Sequence, residues 1–256
     1  MPPDASFDAT VARLVAAGCV AAHEEAAELL AVAADAATIE AMIMRREQGE
    51  PLPWITGTVT FGGRVVQVDP GVYVPRFQTE DLARRAVERL PVGGAAVDLC
   101  TGAGAIAVLL QAEVPTALVI GIDRDARAAA CARRNGVPVI VADVAIPVPL
   151  ARRSGFDLVT AVAPYVPTDD LRYLPADVQR YEPRATLDGG SDGLDLVRAV
   201  VAAAAGLLRP GGWLLTEIGG DQVDALAPTL RGAGFDGAEP WYDEDGDLRG
   251  IAAPLA

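Results

Sequence analysis

The spacing of apolar residues changes three times along the chain. From Ser6 to about Gln48 they recur at helical intervals, as in Val11, Leu14 and Val15 and again in Leu29, Leu30 and Val32, within a background of Ala, Leu and Glu. That spacing puts one apolar stripe on each helix and predicts a small helical unit. Gly18 and the Gly49-Glu50-Pro51 stretch punctuate it. In "WITGTVTFGGRVVQVDPGVYVP", Val59 and Phe61 precede Gly62-Gly63, and Val65, Val66 and Val68 follow, which is the pattern of a β-hairpin. Helical spacing returns in "TEDLARRAVERL", with Leu82, Ala86, Val87 and Leu90 on one side.

From Ala95 onward, short apolar runs alternate with helical patterns: "AAVDLC", "ALVIGID", "VPVIVAD", "FDLVTAVAPY" and "GGWLLTEIG". This rhythm predicts an α/β domain, a parallel sheet covered by helices on both faces. Gly211-Gly212 predicts a turn before Trp213, and "LRGIAAPLA" a last, antiparallel strand at the sheet edge. There is no internal repeat. Three segments follow: a helical domain over 1–52, a hairpin linker over 53–75 and an α/β domain over 76–256.

Composition adds bounds. A chain of 256 residues, 51% hydrophobic, has material for one large domain and a small extra unit. The formal net charge of −14 repels nucleic-acid phosphates and favours a basic partner. Cys19, Cys100 and Cys131 are too few and too scattered for a disulfide framework or a metal site, so reduced thiols and no metal are expected. "MPPDASFDAT" lacks the pattern of a signal peptide, and no apolar run approaches the ~20 residues of a membrane span. The expectation is a cytoplasmic protein, monomeric and free of membrane and nucleic acid.

The strongest local signal is "VDLCTGAGAIAVLL", a strand, then Gly102 and Gly104, then a helix. Glycine permits a sharp turn and lets a ligand approach the backbone. Asp123 ends the next strand, near the ~20-residue spacing of a ribose-binding carboxylate. A dinucleotide would call for a third glycine, but Ile106 and Ala107 follow Ala105, and acidic Asp98 precedes the loop. An acid there suits a cationic methionine moiety and repels phosphate. Asp143 ends a third strand and is placed to accept from an adenine amino group. Each Asp alone reads as an ordinary strand-end residue; three at successive strand ends point to S-adenosylmethionine.

With the ordered blocks "GEPLPWITG", "FGGRVVQVDPGVYVPRFQTE", "VDLCTGAGAIA", "YEPRATLDGGSDGLD" and "LRPGGWLLTEIG", nearly the whole chain resembles the class I methyltransferases. Within them it resembles the release-factor glutamine N5-methyltransferases, the PrmC/HemK family. The resemblance implies a Rossmann-like, mostly parallel seven-stranded sheet, S-adenosylmethionine as cofactor, and a release factor or similar translation protein as partner. The N-terminal helical domain would dock that protein. It further implies that Cys100, Thr101, Gly102, Ala103 and Gly104 meet the methionine end, Asp123 the ribose, and Asp143 with Val144 the adenine. Thr79 and Glu80 would lie beside the cofactor, with Arg76, Glu182 and Arg184 at the substrate. Cys100 stands where the family has glycine, and its small side chain fits if its backbone angles are ordinary. Phe77-Gln78 stands where the linker block has Pro-Glu.

The family's Asn-Pro-Pro-Tyr turn is Val162-Ala163-Pro164-Tyr165 here. A carboxamide nitrogen is a poor nucleophile because its lone pair is delocalised into the carbonyl. Acceptors on its hydrogens draw that pair toward the methyl carbon. The resemblance implies that Pro164 supplies a carbonyl acceptor and Tyr165 a packing platform, while the side-chain acceptor is lost at Val162. One such hydrogen bond is worth on the order of 10²–10³ in rate, and an unpartnered amide hydrogen costs ~1–3 kcal/mol. Asp169, Asp170 and Glu182 are candidate substitutes. The alternatives are a weakly catalytic homologue that binds cofactor or protein, and an adenine-N6 nucleic-acid methyltransferase, which the charge and the absent Asn oppose. His23, far from the loop in sequence, reads as a surface or packing residue, Glu217 as support of the sheet edge, the tryptophans as core or interface, and "YDEDGD" as a solvated loop that could steer a basic partner.

Overall fold

The computed structural model describes residues 3–144 and 155–256. Met1 and Pro2, the first residues of the expected helical domain, lie outside the described residues. The chain opens with α1 (Pro3–Ala16), α2 (Ala22–Val32), α3 (Ala36–Glu47) and the short α4 (Leu52–Thr56). Of the expected stripes, Val11, Leu14 and Leu29 meet in a common core with Ile43 of α3 and Ile55 of α4, whereas Val15 and Val32 are exposed. Arg46 of α3 pairs with Glu25 of α2 at 2.6 Å, closing this unit on its polar side.

The hairpin forms as β1 (Thr58–Phe61) and β2 (Arg64–Gln67), with Phe61 opposite Arg64. Its turn residues Gly62 and Gly63 both have positive φ, which a two-residue turn of this twist requires. The Trp54 indole of α4 donates to the Val72 carbonyl at 2.9 Å, so the helical unit is tied to the segment that enters the main domain.

That domain continues with α5 (Thr79–Arg89), β3 (Ala95–Leu99), α6 (Ala105–Glu113), β4 (Leu118–Asp123), α7 (Ala126–Arg134) and β5 (Val139–Val141). Then come β6 (Phe156–Ala161), α8 (Ala176–Tyr181), α9 (Asp195–Leu207), β7 (Leu208–Glu217), α10 (Gln222–Gly232), β8 (Glu239–Tyr242) and β9 (Leu248–Pro254). The seven-stranded sheet has the order β5-β4-β3-β6-β7-β9-β8. Its strands are parallel from β5 to β7, and β9 is antiparallel to both β7 and β8. This is the class I methyltransferase sheet implied by the resemblance.

Two details differ from expectation. β9 is inside the sheet, and β8 is the edge. The apolar residues Ile251, Ala252 and Ala253 are buried on both faces, whereas β8 contains Pro240, which lacks an N–H and is tolerated at an edge. Gly211-Gly212 is not a turn before the strand but a bulge within β7. The register slips there, from Leu208 opposite Phe156 to Trp213 opposite Leu158, and Gly211 takes a positive φ.

Period-two alternation sorts the sheet residues onto two cores. Ala96, Leu158 and Leu215 face α5, α6 and α7. Val97, Val159 and Leu214 face α9 and α10. The same alternation puts Asp98, Thr160, Val162 and Glu217 on the α5–α7 face, at the carboxyl edge of the parallel strands. No helix among the described residues is long and apolar enough to cross a membrane. Leu158, with no exposed surface in the central strand, sets the core's sensitivity: Leu158→Ala is expected to lower the unfolding free energy by about 2–5 kcal/mol in urea titration.

Candidate active site

A cavity of about 580 Å³ opens along the carboxyl edge of β3, β4, β6 and β7, where open α/β sheets bind ligands. One end is built by the loop after β3. Gly102 and Gly104 have φ of 56° and 85°, and a side chain at Gly102 would meet nothing within 4 Å, so glycine is needed there for its backbone angle rather than for space. Gly104 does both: a Cβ would lie 3.0 Å from Ala132 and Val137 of the α7 segment. It therefore serves helix packing and does not line the cavity, unlike Thr101, Gly102 and Ala103.

Cys100 overturns the expectation of ordinary backbone angles. It is the one residue other than glycine with a positive φ, 55°, among the described residues. An L-residue there costs about 1–2 kcal/mol. Its side chain packs at the margin of the α9–α10 core, and burial pushes its thiol far above the ordinary range, so it is an inert, strained element of the loop.

Asp98 is 1% exposed. Its two carboxylate oxygens accept from the hydroxyls of Thr101 at 2.6 Å and Thr160 at 2.7 Å. Burial lifts its pKa to about 6, opposed by the two hydroxyls and reinforced by Asp123. Asp123 accepts from the backbone N–H of Gly102 at 2.9 Å and of Asp125 at 2.8 Å. Both bonds hold the carboxylate at the cavity wall, and burial raises its pKa as well. Asp143 and Val144 line the same end. A loop of left-handed backbone, a fixed carboxylate at a strand end and an apolar wall suit a nucleoside carrying a cationic tail, so the residues present fit S-adenosylmethionine.

At the other end stand Val162, Ala163, Pro164 and Tyr165, with Tyr73, Arg76, Thr79, Glu217 and Arg249. Val162 packs its side chain against the α5–α7 core. The expected Pro164 carbonyl crowds the backbone of Gly189, where an added Cβ would lie 2.7 Å away. Arg76 lies over the Tyr73 ring at 5.0 Å and pairs with Glu182, so Glu182 holds Arg76 and stays out of the cavity. Glu80 also points elsewhere, accepting from Gly62 of the hairpin at 3.0 Å. Arg184 is exposed and paired with Asp188. Asp169 and Asp170 are exposed in a 3-10 turn, and none of the three suggested substitutes for the missing Asn reaches the cavity. His23 is exposed in α2.

Several site residues carried no sequence signal. Gln222 donates from Nε2 to the carbonyls of Tyr165 at 2.9 Å and Asp192 at 3.0 Å, and accepts from the Gly219 N–H at 2.9 Å. It binds three loops around the acceptor turn, yet in the chain it is one polar residue opening a helix. Arg249 pairs with Asp243 of the "YDEDGD" turn and so joins that acidic loop to the cavity wall. Tyr73, with its hydroxyl pushed up to about 12 by burial, lies in a segment that spacing reads only as linker.

Sheet, loop and cavity together define a class I S-adenosylmethionine-dependent methyltransferase. Solved methyltransferases share the fold: the ribosomal protein L11 methylase of Lactobacillus delbrueckii subsp. bulgaricus has a TM-score of 0.53 at 16% identity, over 76% of this chain and 87% of that one. A T. thermophilus 16S rRNA N2 G1207 methyltransferase in complex with AdoMet and guanosine gives 0.50 at 20%, over 78% and 44%. No protein-family model matches the chain. Among curated proteins, it is 40% identical over 203 residues to the release factor glutamine methyltransferase of Geobacter sulfurreducens, covering 78% of this chain and 71% of that protein. It is 35% identical over 213 residues to that of Salmonella typhimurium, covering 81% and 76%. The chain belongs to the release factor glutamine methyltransferase family.

Two measurements probe the loop. Cys100→Gly relieves the left-handed strain and is expected to raise the unfolding free energy by about 1 kcal/mol in urea titration. For Asp98 the raised pKa means that the folded protein keeps a proton which the unfolded chain has released from pH 3.8 upward. Its contribution to stability therefore falls as pH rises from about 4 to about 6. Asp98→Asn is expected to flatten the decline in unfolding free energy across that window.

Proposed function

We propose that this protein methylates a glutamine side-chain nitrogen in a peptide-chain release factor, as a monomer in the cytoplasm. The observation that carries the reading is the continuity of a single cavity, from Asp123 and Asp143 at one end to Tyr165 at the other. The names of the related proteins support the choice of acceptor. In this reading the helical domain over 1–52 docks the release factor, the segment over 53–75 links, and 76–256 carries the chemistry. The net charge of −14 suits a partner with a basic surface.

Bound S-adenosylmethionine supplies an electrophilic methyl on a sulfonium. The chain's own task is to hold that methyl group and one planar amide in line. Asp123 and the glycine loop hold the nucleoside, Asp143 with Val144 the adenine, and Asp98 fixes the loop beside the charged end. The Tyr165 ring, held through its carbonyl by Gln222, is the platform for the amide plane. Fixing two reactants in this way supplies much of the rate enhancement of such a reaction.

The test is methyl transfer from labelled S-adenosylmethionine to an intact release factor, with the modified residue located by peptide mass spectrometry. Label is expected on one glutamine, and replacing that glutamine by alanine is expected to abolish incorporation. Label on other residue types, or on DNA or RNA in place of protein, would overturn the reading.

A further inference from the structure

We propose that Glu217 is the side-chain acceptor for the substrate amide, standing in for the asparagine that this chain lacks at position 162. The inference rests on the glutamine reading above. In register, Ala161 at the end of β6 lies opposite Thr216 of β7, so the next pair is Val162 and Glu217. Partners in adjacent parallel strands present their side chains on the same face, about 4.8 Å apart. Here that face is the α5–α7 side, since Trp213 and Leu215 of β7 and Val162 itself pack there.

Both residues line the cavity, together with Tyr165. The Glu217 side chain is longer than asparagine by one methylene and starts one strand away, so its oxygens can reach the space over the shortened Val162. The carboxylates around it are otherwise engaged: Glu182 with Arg76, and Asp243 and Asp247 with Arg249. Glu217 is 6% exposed and makes no ion pair within salt-bridge distance among the described residues. Burial raises its pKa, while the Thr79 and Tyr165 hydroxyls and the charge of Arg249 oppose the rise. The Thr79 and Tyr165 hydroxyls offset part of the cost of burying this carboxyl, and as a lining group of the cavity it keeps acceptor capacity for a further donor, which an amide N–H is.

In the transfer, the nitrogen–carbon bond forms as the carbon–sulfur bond breaks, with the electron pair left on sulfur. The nitrogen, strongly acidic once methylated, gives up one proton to water, and until then Glu217 accepts its N–H hydrogen bond. By accepting that N–H, Glu217 draws the nitrogen lone pair out of conjugation, which is the service a preorganised acceptor performs.

The experiment compares wild type, Glu217→Ala, Glu217→Gln and the double variant Val162→Asn/Glu217→Ala in methyl transfer to a release factor. Melting temperature and calorimetric affinity for S-adenosylmethionine are followed in parallel. Glu217→Ala is expected to lower kcat on the order of 10²–10³, with cofactor affinity unchanged. Glu217→Gln, which keeps one accepting oxygen, should lose less. Adding Val162→Asn to Glu217→Ala should restore about tenfold or more, because an acceptor returns to the same space. A purely supporting carboxyl would not be rescued in this way. Unchanged kcat in Glu217→Ala, or a loss in folded protein that Val162→Asn does not relieve, overturns the proposal and leaves the glutamine reading standing. If Glu217→Ala does not fold, Glu217→Gln decides: turnover equal to wild type together with no response to an added Val162→Asn overturns it. No transfer to glutamine by the wild type overturns the underlying reading and this proposal with it.

Discussion

The bond pair at Asp98 is the joint on which the site depends. One oxygen of this buried carboxylate accepts from Thr101 in the cofactor loop, the other from Thr160 in β6. Thr160 lies two residues before Val162, so a single side chain ties the loop that would hold the cofactor to the strand that carries the acceptor turn. The two reacting ends are thereby set at a fixed separation before any ligand enters. A carboxylate is costly to bury, and this one is tolerated because both of its oxygens are met by hydroxyl donors.

Around that joint, backbone geometry decides which substitutions the site accepts. Gly102 is required for its positive φ, Gly104 for its angle and its approach to Ala132 and Val137. Cys100 keeps a left-handed angle without the residue that adopts it freely. The loop retains its course because its neighbours over-determine it: Thr101 N–H donates to the Ile122 carbonyl at 3.0 Å, and Gly121 in β4 has no Cβ to displace the Thr101 side chain. Strain at one residue is thus held by hydrogen bonds and packing at the next. At the opposite end, the chain has exchanged a polar turn residue for Val162, which packs into the α5–α7 core. The polar function then falls to neighbours that approach the same space from another strand.

Much of this is legible in the sequence. The spacing puts acids at or near three successive strand ends: Asp123 ends β4, Asp98 lies one residue inside the end of β3 and Asp143 two residues beyond β5, and all three line one cavity. That inference succeeds because parallel strands of similar length end at one edge, so chain periodicity carries spatial information. Failures fell where a residue's partner is distant in sequence. Glu80 looked like a cofactor neighbour but bonds to Gly62 in the hairpin, and Glu182 is occupied by Arg76. The last strand was expected at the edge, because a chain terminus says nothing about which neighbours a strand inserts between.

By itself, the sequence determined the layered fold, the glycine-turned loop and the three strand-end acids, since each is set by spacing, residue size and local backbone preference. Tertiary structure alone decided which polar atoms share the acceptor space. Register across β6 and β7 pairs Ala161 with Thr216, one step before Val162 and Glu217, and Gln222 reaches from α10 to the Tyr165 carbonyl. Register is a relation between strands some fifty residues apart along the chain, and no local pattern encodes it. The left-handed angle at Cys100 belongs to the same class. A cysteine has no preference for that region, and only the surrounding loop imposes it.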